Sequence, residues 1–333
     1  MVGYQKQFNA NTTNVFVRAD RKSATMKIDA GSIFKAMTAN ETLLEAQKLP
    51  NPRKLWKEFW VENEVCCLFA DSNVGKSVLA VQIATEIART EKVLYYDFEQ
   101  SDKQFQLRYT DSNTGQTFNF PKNLMRLTLT GESISALGDR MEDVIMSNIE
   151  RDVHKFDARI LIIDNISWLM NAKNSTETAA NLMTKLVALK KKCGLSILVL
   201  AHTKKRPSTK PIDQNDLAGS KRLINFFDAA FTIGKSMSDS ELRYVKQIKV
   251  RTGKYTYDSD HVMLCTIEQK NSFLQFVQQD FGDEADHLKI PKQKEKMEQI
   301  DLVSSLKAHG LSVRQIAEAT GLSKSKVGRL LLN

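Results

Sequence analysis

What the chain lacks narrows it first. Its four cysteines in 333 residues, Cys66, Cys67, Cys193 and Cys265, make no Cys-x-x-Cys pair and no Cys/His spacing suited to zinc. That excludes a disulfide scaffold and a zinc module, and the four read as reduced core thiols of a cytoplasmic protein. The N-terminus carries no apolar leader-like run, and no stretch is long enough to span a bilayer. There is no internal repeat and no low-complexity tract.

What is present is a soluble globular composition, 42% hydrophobic and 26% charged. That length and balance suffice for one sizeable α/β core plus a small accessory unit. A net charge of +9 favours a polyanionic partner such as nucleic acid and says nothing about fold.

The chain is organised around Cys66-Cys67-Leu68-Phe69-Ala70-Asp71-Ser72-Asn73-Val74-Gly75-Lys76-Ser77-Val78-Leu79. An apolar run stops at a small polar loop, and Gly-Lys-Ser then opens a segment of helical period. Strand, loop and helix in this order aim successive backbone N–H groups and a helix N-terminus at one anion. Residues Asp71, Ser72, Asn73, Val74, Gly75, Lys76, Ser77 and Val78 are therefore the expected cradle for a nucleoside triphosphate. Lys76 would reach the β- and γ-phosphates, and Ser77 would ligate Mg²⁺. Ala70 stands where such loops usually begin with glycine. The bland alternative is a Gly-Lys-Ser that only starts a helix.

Strands and helices alternate onward from there. Runs at 92–98, 124–129, 159–164 and 195–201 read as strands, and stretches at 101–111, 133–156 and 176–193 read as helices. This implies a doubly wound, mainly parallel α/β sheet. From Leu242 the pattern turns β-rich (242–250, 262–268, 273–277), which predicts antiparallel strands extending that sheet. Expected boundaries are an N-terminal arm and helix (1–51, the helix over 32–48), a core (52–280), a linker (281–293) and a helical unit (294–333). Trp56, Phe59 and Trp60 either pack over a nucleotide base or cover the sheet edge.

Three strand ends carry the remaining chemistry. Asp164 ends a continuous apolar strand, where a Mg²⁺-directed acid must sit to face phosphates. Glu99 follows the strand at 92–98 and can polarise the water that attacks the γ-phosphorus, or merely cap the next helix. His202 ends the strand at 195–201, placed to touch both the γ-phosphate and the loop that follows, although a lone histidine is commonly structural.

The phosphate loop, Glu99, Asp164 and His202 occur in the order of the RecA-like ATPase core, and the chain resembles that superfamily over about residues 52–277. Within it the chain resembles the RepA-type hexameric helicases of plasmids and mobile elements, and more distantly the DnaB-type replicative helicases. Ala218-Gly219-Ser220-Lys221, before a helix expected to end at Asp228, adds to the likeness. The resemblance implies a homo-oligomeric ring using ATP and Mg²⁺, working on single-stranded DNA beside a primase or initiator. It also implies that Lys249 and Arg251 reach a neighbouring subunit's nucleotide, where the bland alternative is a solvated face. By the same resemblance, Lys204, Lys205, Arg206 and Lys210 line a DNA channel, where the alternative is a mobile surface loop.

Residues 312–331 read as a helix-turn-helix, with Gly321 at the turn and Ile316, Leu322, Val327 and Leu330 as shared core. Its second helix presents Lys324, Ser325, Lys326 and Arg329 to duplex DNA, although such units also dock proteins. Two other readings stay open at this point: an ATP-switched DNA-binding regulator and a filament-forming recombination or repair ATPase.

Overall fold

The computed structural model describes residues 34–129, 141–166, 176–219, 223–290 and 292–331. The chain divides into two units, Met1–Asn51 and Pro52–Asn333. The described part of the first contains helix α1 (Ala39–Gln47). It starts where Thr38 accepts from the Glu41 N–H while the Glu41 carboxylate accepts from the Thr38 N–H. The helix expected over 32–48 thus begins at Ala39, because that capping box fixes its first turn. The arm at 1–33 lies outside the described residues.

The second unit is built on a nine-stranded sheet among the described residues, in the order β11-β10-β9-β8-β3-β7-β6-β4-β5. Its parallel part holds β3 (Val65–Ala70), β4 (Val93–Asp97), β5 (Leu124–Thr128), β6 (Ile160–Asp164), β7 (Ser196–His202) and β8 (Ala229–Lys235). The antiparallel extension is β9 (Arg243–Val250), β10 (Val262–Lys270) and β11 (Phe273–Gly282). The expected mixed α/β sheet is therefore the fold.

Continuous apolar runs make sense once both faces are seen to be covered. On one face Leu68, Tyr95 and Leu198 pack with α2 (Lys76–Ile87). On the other, Phe69, Leu94 and Ile163 pack with α4 (Met141–Phe156) and α5 (Thr176–Cys193). The short helix α3 (Asp102–Arg108) carries the Ser101/Gln104 capping box expected of it. A separate hairpin, β1 (Lys54–Trp56) with β2 (Trp60–Val61), carries the three early rings. Trp56 stacks on Phe59 at 4.9 Å, and both lean on Phe231, so this trio covers the sheet. Cys66, Cys67 and Cys265 are buried free thiols, and Cys193 is partly exposed.

Several segments differ from expectation. The helix at 133–156 is described only from Met141, since 130–140 lie outside the described residues. The helix expected to end at Asp228 is a 3-10 turn, Leu223–Phe226, and Ser220 and Lys221 lie outside the described residues. A turn of that kind suits a connection that must enter β8 within two residues. In the stretch read as a linker, β11 runs on to Gly282, and Glu284 and His287 are buried in the core. There Glu284 is fully buried and pairs with Lys246, while its other oxygen accepts from the Ile212 N–H at 2.8 Å.

The last helices are α6 (Lys292–Ala308), α7 (Val313–Thr320) and α8 (Lys324–Leu330), joined around Val303, Ile316, Val327 and Leu330. Ser312 caps α7 and Ser323 caps α8, and between them Gly321 takes φ +68°, a conformation glycine adopts without strain. Among the described residues no helix is long and apolar enough to cross a membrane.

Candidate nucleotide-binding site

The order of the central strands decides which side chains meet. β3, β7, β6 and β4 are neighbours, with Ala70 opposite His202 and Asp97 opposite Asp164 in the ladder. Their carboxyl ends therefore form one row, about 14 Å long at the usual strand spacing. Residues far apart in sequence converge there, in a cleft of about 400 Å³. It is lined by Ser72, Asn73, Gly75, Lys76, Ser77, Val78, Glu99, Gln100, Arg108 and His202.

The phosphate loop bridges β3 and α2. Gly75 sits at φ +102°, and a Cβ there would lie 2.7 Å from Ile267 Cδ1 and 2.9 Å from the Phe276 ring. Both the backbone angle and the β10–β11 hairpin closing over the loop thus demand glycine. The hairpin is pinned in turn to α2, whose Gln82 side chain pairs with both backbone groups of Phe276 at 2.8 and 3.2 Å. Ala70, by contrast, is an ordinary strand residue, so the loss of glycine there leaves the cradle intact. Asp71 accepts a hydrogen bond from the Thr203 hydroxyl, and Asp71, Ser72 and Asn73 are exposed.

Lys76 is 7% exposed. Its Nζ lies 3.5 Å from the Ala70 carbonyl and 3.3 Å from His202 Nδ1. Burial holds its pKa below the ordinary ammonium value, while Asp164, Glu99 and Asp71 pull the other way. An ammonium has only protons to give, so in this contact Nδ1 of the ring accepts. Nε2 of the same ring lies 3.6 Å from Glu99 Oε1 and 3.2 Å from the Asn165 side-chain nitrogen. The hydrogen bond from His202 holds the Glu99 carboxyl below its ordinary value against the cost of burial, with help from Asn165.

Asp164 is fully buried. Tyr95 donates to its Oδ2 at 2.6 Å, and the Ser77 side chain is close enough to help lower the pKa of the same carboxylate. Its Oδ1 has no hydrogen-bond partner although it is buried. Burial pushes this carboxyl up to about 6, opposed by Tyr95 and Ser77. An orphaned carboxylate oxygen beside a hydroxyl is the donor set for a hard divalent cation completed by phosphates and water, so Ser77 and Asp164 fit Mg²⁺. Among the described residues no group of three or more His, Cys, Asp or Glu side chains forms a self-sufficient metal cage.

The other expected residues lie elsewhere. Lys249 and Arg251 flank the end of β9, where Val250 stands opposite Ala229 and Ala229 opposite Cys66. That is the amino edge of the parallel strands, and the phosphate loop is at the carboxyl edge. Neither residue can serve its own chain's cleft. Lys249 donates to the Ile224 carbonyl at 2.9 Å, and Arg251 pairs with Asp228 at 2.6 Å while remaining 58% exposed. Lys190 shares Asp228 at 2.8 Å.

In the loop after β7, Lys205 and Lys210 are exposed, whereas Lys204 and Arg206 are half-buried. Arg206 pairs with Asp216 at 3.2 Å and donates to the Lys210 carbonyl, so its guanidinium is spent inside the loop. Lys204 donates to the Asn215 carbonyl at 3.2 Å. The segment also bridges to Leu217 and is tied by the Lys204 N–H to the Asp216 carbonyl at 2.7 Å. On α8, Lys324, Ser325 and Arg329 are exposed and Lys326 is half-buried, with Arg329 Nε 3.4 Å from the Ser325 carbonyl.

Asn165 and Tyr95 escaped the sequence reading, although one follows Asp164 directly. Arg126 escaped too, despite being a lone cation inside the apolar strand β5.

A family model described as "AAA domain" matches residues 32–208, more than half of the chain. The chain is also similar to "DNA repair protein RadA" of Campylobacter jejuni, at 27% identity over 203 residues. That match covers 58% of this chain and 38% of the relative.

Proposed function

The chain belongs to the AAA-domain family, and from that premise we propose that it is an ATP-hydrolysing motor on DNA. The finer reading is a ring-forming helicase of RepA type in plasmid, phage or mobile-element replication. The observation that carries it is the split of functional groups between the two sheet edges. Lys76, Ser77, Asp164, Glu99 and His202 crowd the carboxyl edge, while Lys249 and the more exposed Arg251 lie at the amino edge. A site complete only when a second copy's amino edge meets the first copy's cleft is a head-to-tail contact, and repeating it gives a ring where the rotation closes and a helical filament where it does not.

In this reading Lys76 and the loop N–H groups hold the β- and γ-phosphates, and Ser77 and Asp164 would hold a Mg²⁺ whose charge would offset that of the phosphates. Glu99, whose carboxyl His202 holds below its ordinary value, orients and polarises the attacking water. Arg251 and Lys249 of the neighbouring copy stabilise the charge that develops in transfer. When phosphates draw Lys76 away from His202 Nδ1, the ring is released to respond. Because Thr203 and the loop behind it hang directly on His202, the response passes to Lys204, Lys205 and Lys210. Those cations carry no base-reading aromatics beside them, so DNA binding there is sequence-neutral and salt-sensitive. Helices α7 and α8 act as a helix-turn-helix, with Lys324, Ser325, Lys326 and Arg329 on duplex phosphates.

Similarity to a DNA repair protein favours a second reading, a filament-forming recombination or repair ATPase. Electron micrographs with an ATP analogue and single-stranded DNA separate the two. Closed rings support the helicase, and open helical filaments support the repair ATPase.

A further inference from the structure

The backbone turn that carries Glu99 is gripped by two residues, Asp97 from the strand before it and Arg126 from the neighbouring strand. Asp97 ends β4 beside Asp164, yet its side chain is fully buried and both its oxygens are taken. Oδ1 accepts from the N–H groups of Glu99 at 3.2 Å and Gln100 at 2.9 Å. Oδ2 accepts from Arg126 Nε at 2.9 Å. Asp97 is therefore no second metal ligand but the anchor of a turn.

Arg126 closes that turn from β5. Its Nη2 donates to the Gln100 carbonyl at 2.7 Å, its Nη1 to Asp102 Oδ1 at 2.6 Å, and its guanidinium lies 4.6 Å from the centre of the Phe105 ring. Three bonds in three directions from one rigid fork thus grip residues on both sides of Glu99.

We propose that Arg126 is the positioning residue for Glu99. With Asp97 it fixes the backbone of 97–102, so that the Glu99 carboxylate meets the attacking water at the right distance and angle. This rests on the reading of Glu99 as the water-orienting base. The physical reason is that a base misplaced by about 1 Å loses about a hundredfold in rate. Lysine in place of Arg126 satisfies Asp97 as a point charge but cannot fork to Gln100 and Asp102. Phosphate binding, which belongs to the loop at 71–78, is left alone.

The test is steady-state ATP hydrolysis by the full chain with Mg²⁺ and single-stranded oligonucleotide, together with the affinity for a fluorescent ADP. Arg126→Lys is expected to lower kcat about tenfold or more, with ADP affinity within about twofold of the parent. Placed in a Glu99→Gln background, Arg126→Lys is expected to cost nothing further, since the group it positions is gone. An unchanged kcat, or a full tenfold fall added on top of Glu99→Gln, overturns the proposal while leaving Glu99 as the base. Full turnover in Glu99→Gln alone overturns both. Should Arg126→Lys not fold, Asp102→Ala decides, because that side chain is 89% exposed. A fall of about threefold in kcat at unchanged ADP affinity supports the proposal, and an unchanged kcat overturns it.

Discussion

The Nζ of Lys76 lies 3.3 Å from Nδ1 of His202, so the cation of the loop after β3 meets the histidine that ends the neighbouring strand. The pair joins the loop after β3 to the end of β7, beside the bond from the Thr203 hydroxyl to Asp71. In the proposed cycle phosphate competes with His202 for Lys76, and that exchange would couple nucleotide state to the loop.

Lys76→Ala is expected to abolish ATP turnover, and His202→Ala to separate two functions. Without the ring, hydrolysis by the core persists at a reduced rate, but single-stranded DNA no longer stimulates it. Rates measured with and without oligonucleotide check this.

Glu99→Gln is expected to lower kcat by about a hundredfold or more while nucleotide affinity stays near that of the parent. The amide keeps the shape but cannot take a proton. Single-turnover hydrolysis beside a binding titration separates the chemical step from binding.

Arg251 provides a test of trans action. Arg251→Ala and Lys76→Ala proteins are each expected to be inactive. Mixed in equal amounts with exchange of copies, about a quarter of head-to-tail contacts regain an intact Lys76 facing an intact Arg251. The mixture is expected to recover turnover in that proportion. No recovery contradicts the sharing of sites between copies.

In the loop after β7 the exposed and the internally paired cations should behave differently. Lys205→Glu with Lys210→Glu is expected to weaken single-strand binding and to flatten its salt dependence, by about 0.7 in log–log slope for each phosphate no longer neutralised. Arg206→Ala is expected to act first on stability, because it leaves Asp216 without its ion pair. Salt titrations of oligonucleotide affinity and thermal melts report the two effects.

How much of this could be read from the sequence depended on whether a residue's role was local. Gly75, Lys76 and Ser77 announce themselves because a strand, a small polar loop and a helix are contiguous. Asp164 and His202 were legible because each ends an apolar strand, and strand ends lie at one edge of a parallel sheet. Which strand lies beside which was not legible. Asn165 meets His202 only because β6 and β7 are neighbours, and Tyr95 meets Asp164 only because β4 flanks β6. Arg126 shows the same limit, as its partners Asp97 and Asp102 belong to another strand and its following helix. Arg206 read as one more cation in a basic loop, because its partner Asp216 becomes a neighbour only when the chain turns back at 213–217. The buried Glu284–Lys246 pair was hidden for a further reason. A charged residue in a polar stretch looks like linker until the sheet closes over it.

The account depends most on coupling between nucleotide turnover and a bound strand, and the most direct measurement is Mg²⁺-dependent ATP hydrolysis by the purified chain with and without single-stranded oligonucleotide. Turnover that needs Lys76 and rises when the oligonucleotide is added is the predicted result. Absence of any turnover in either condition, or turnover that survives Lys76→Ala, would contradict the account.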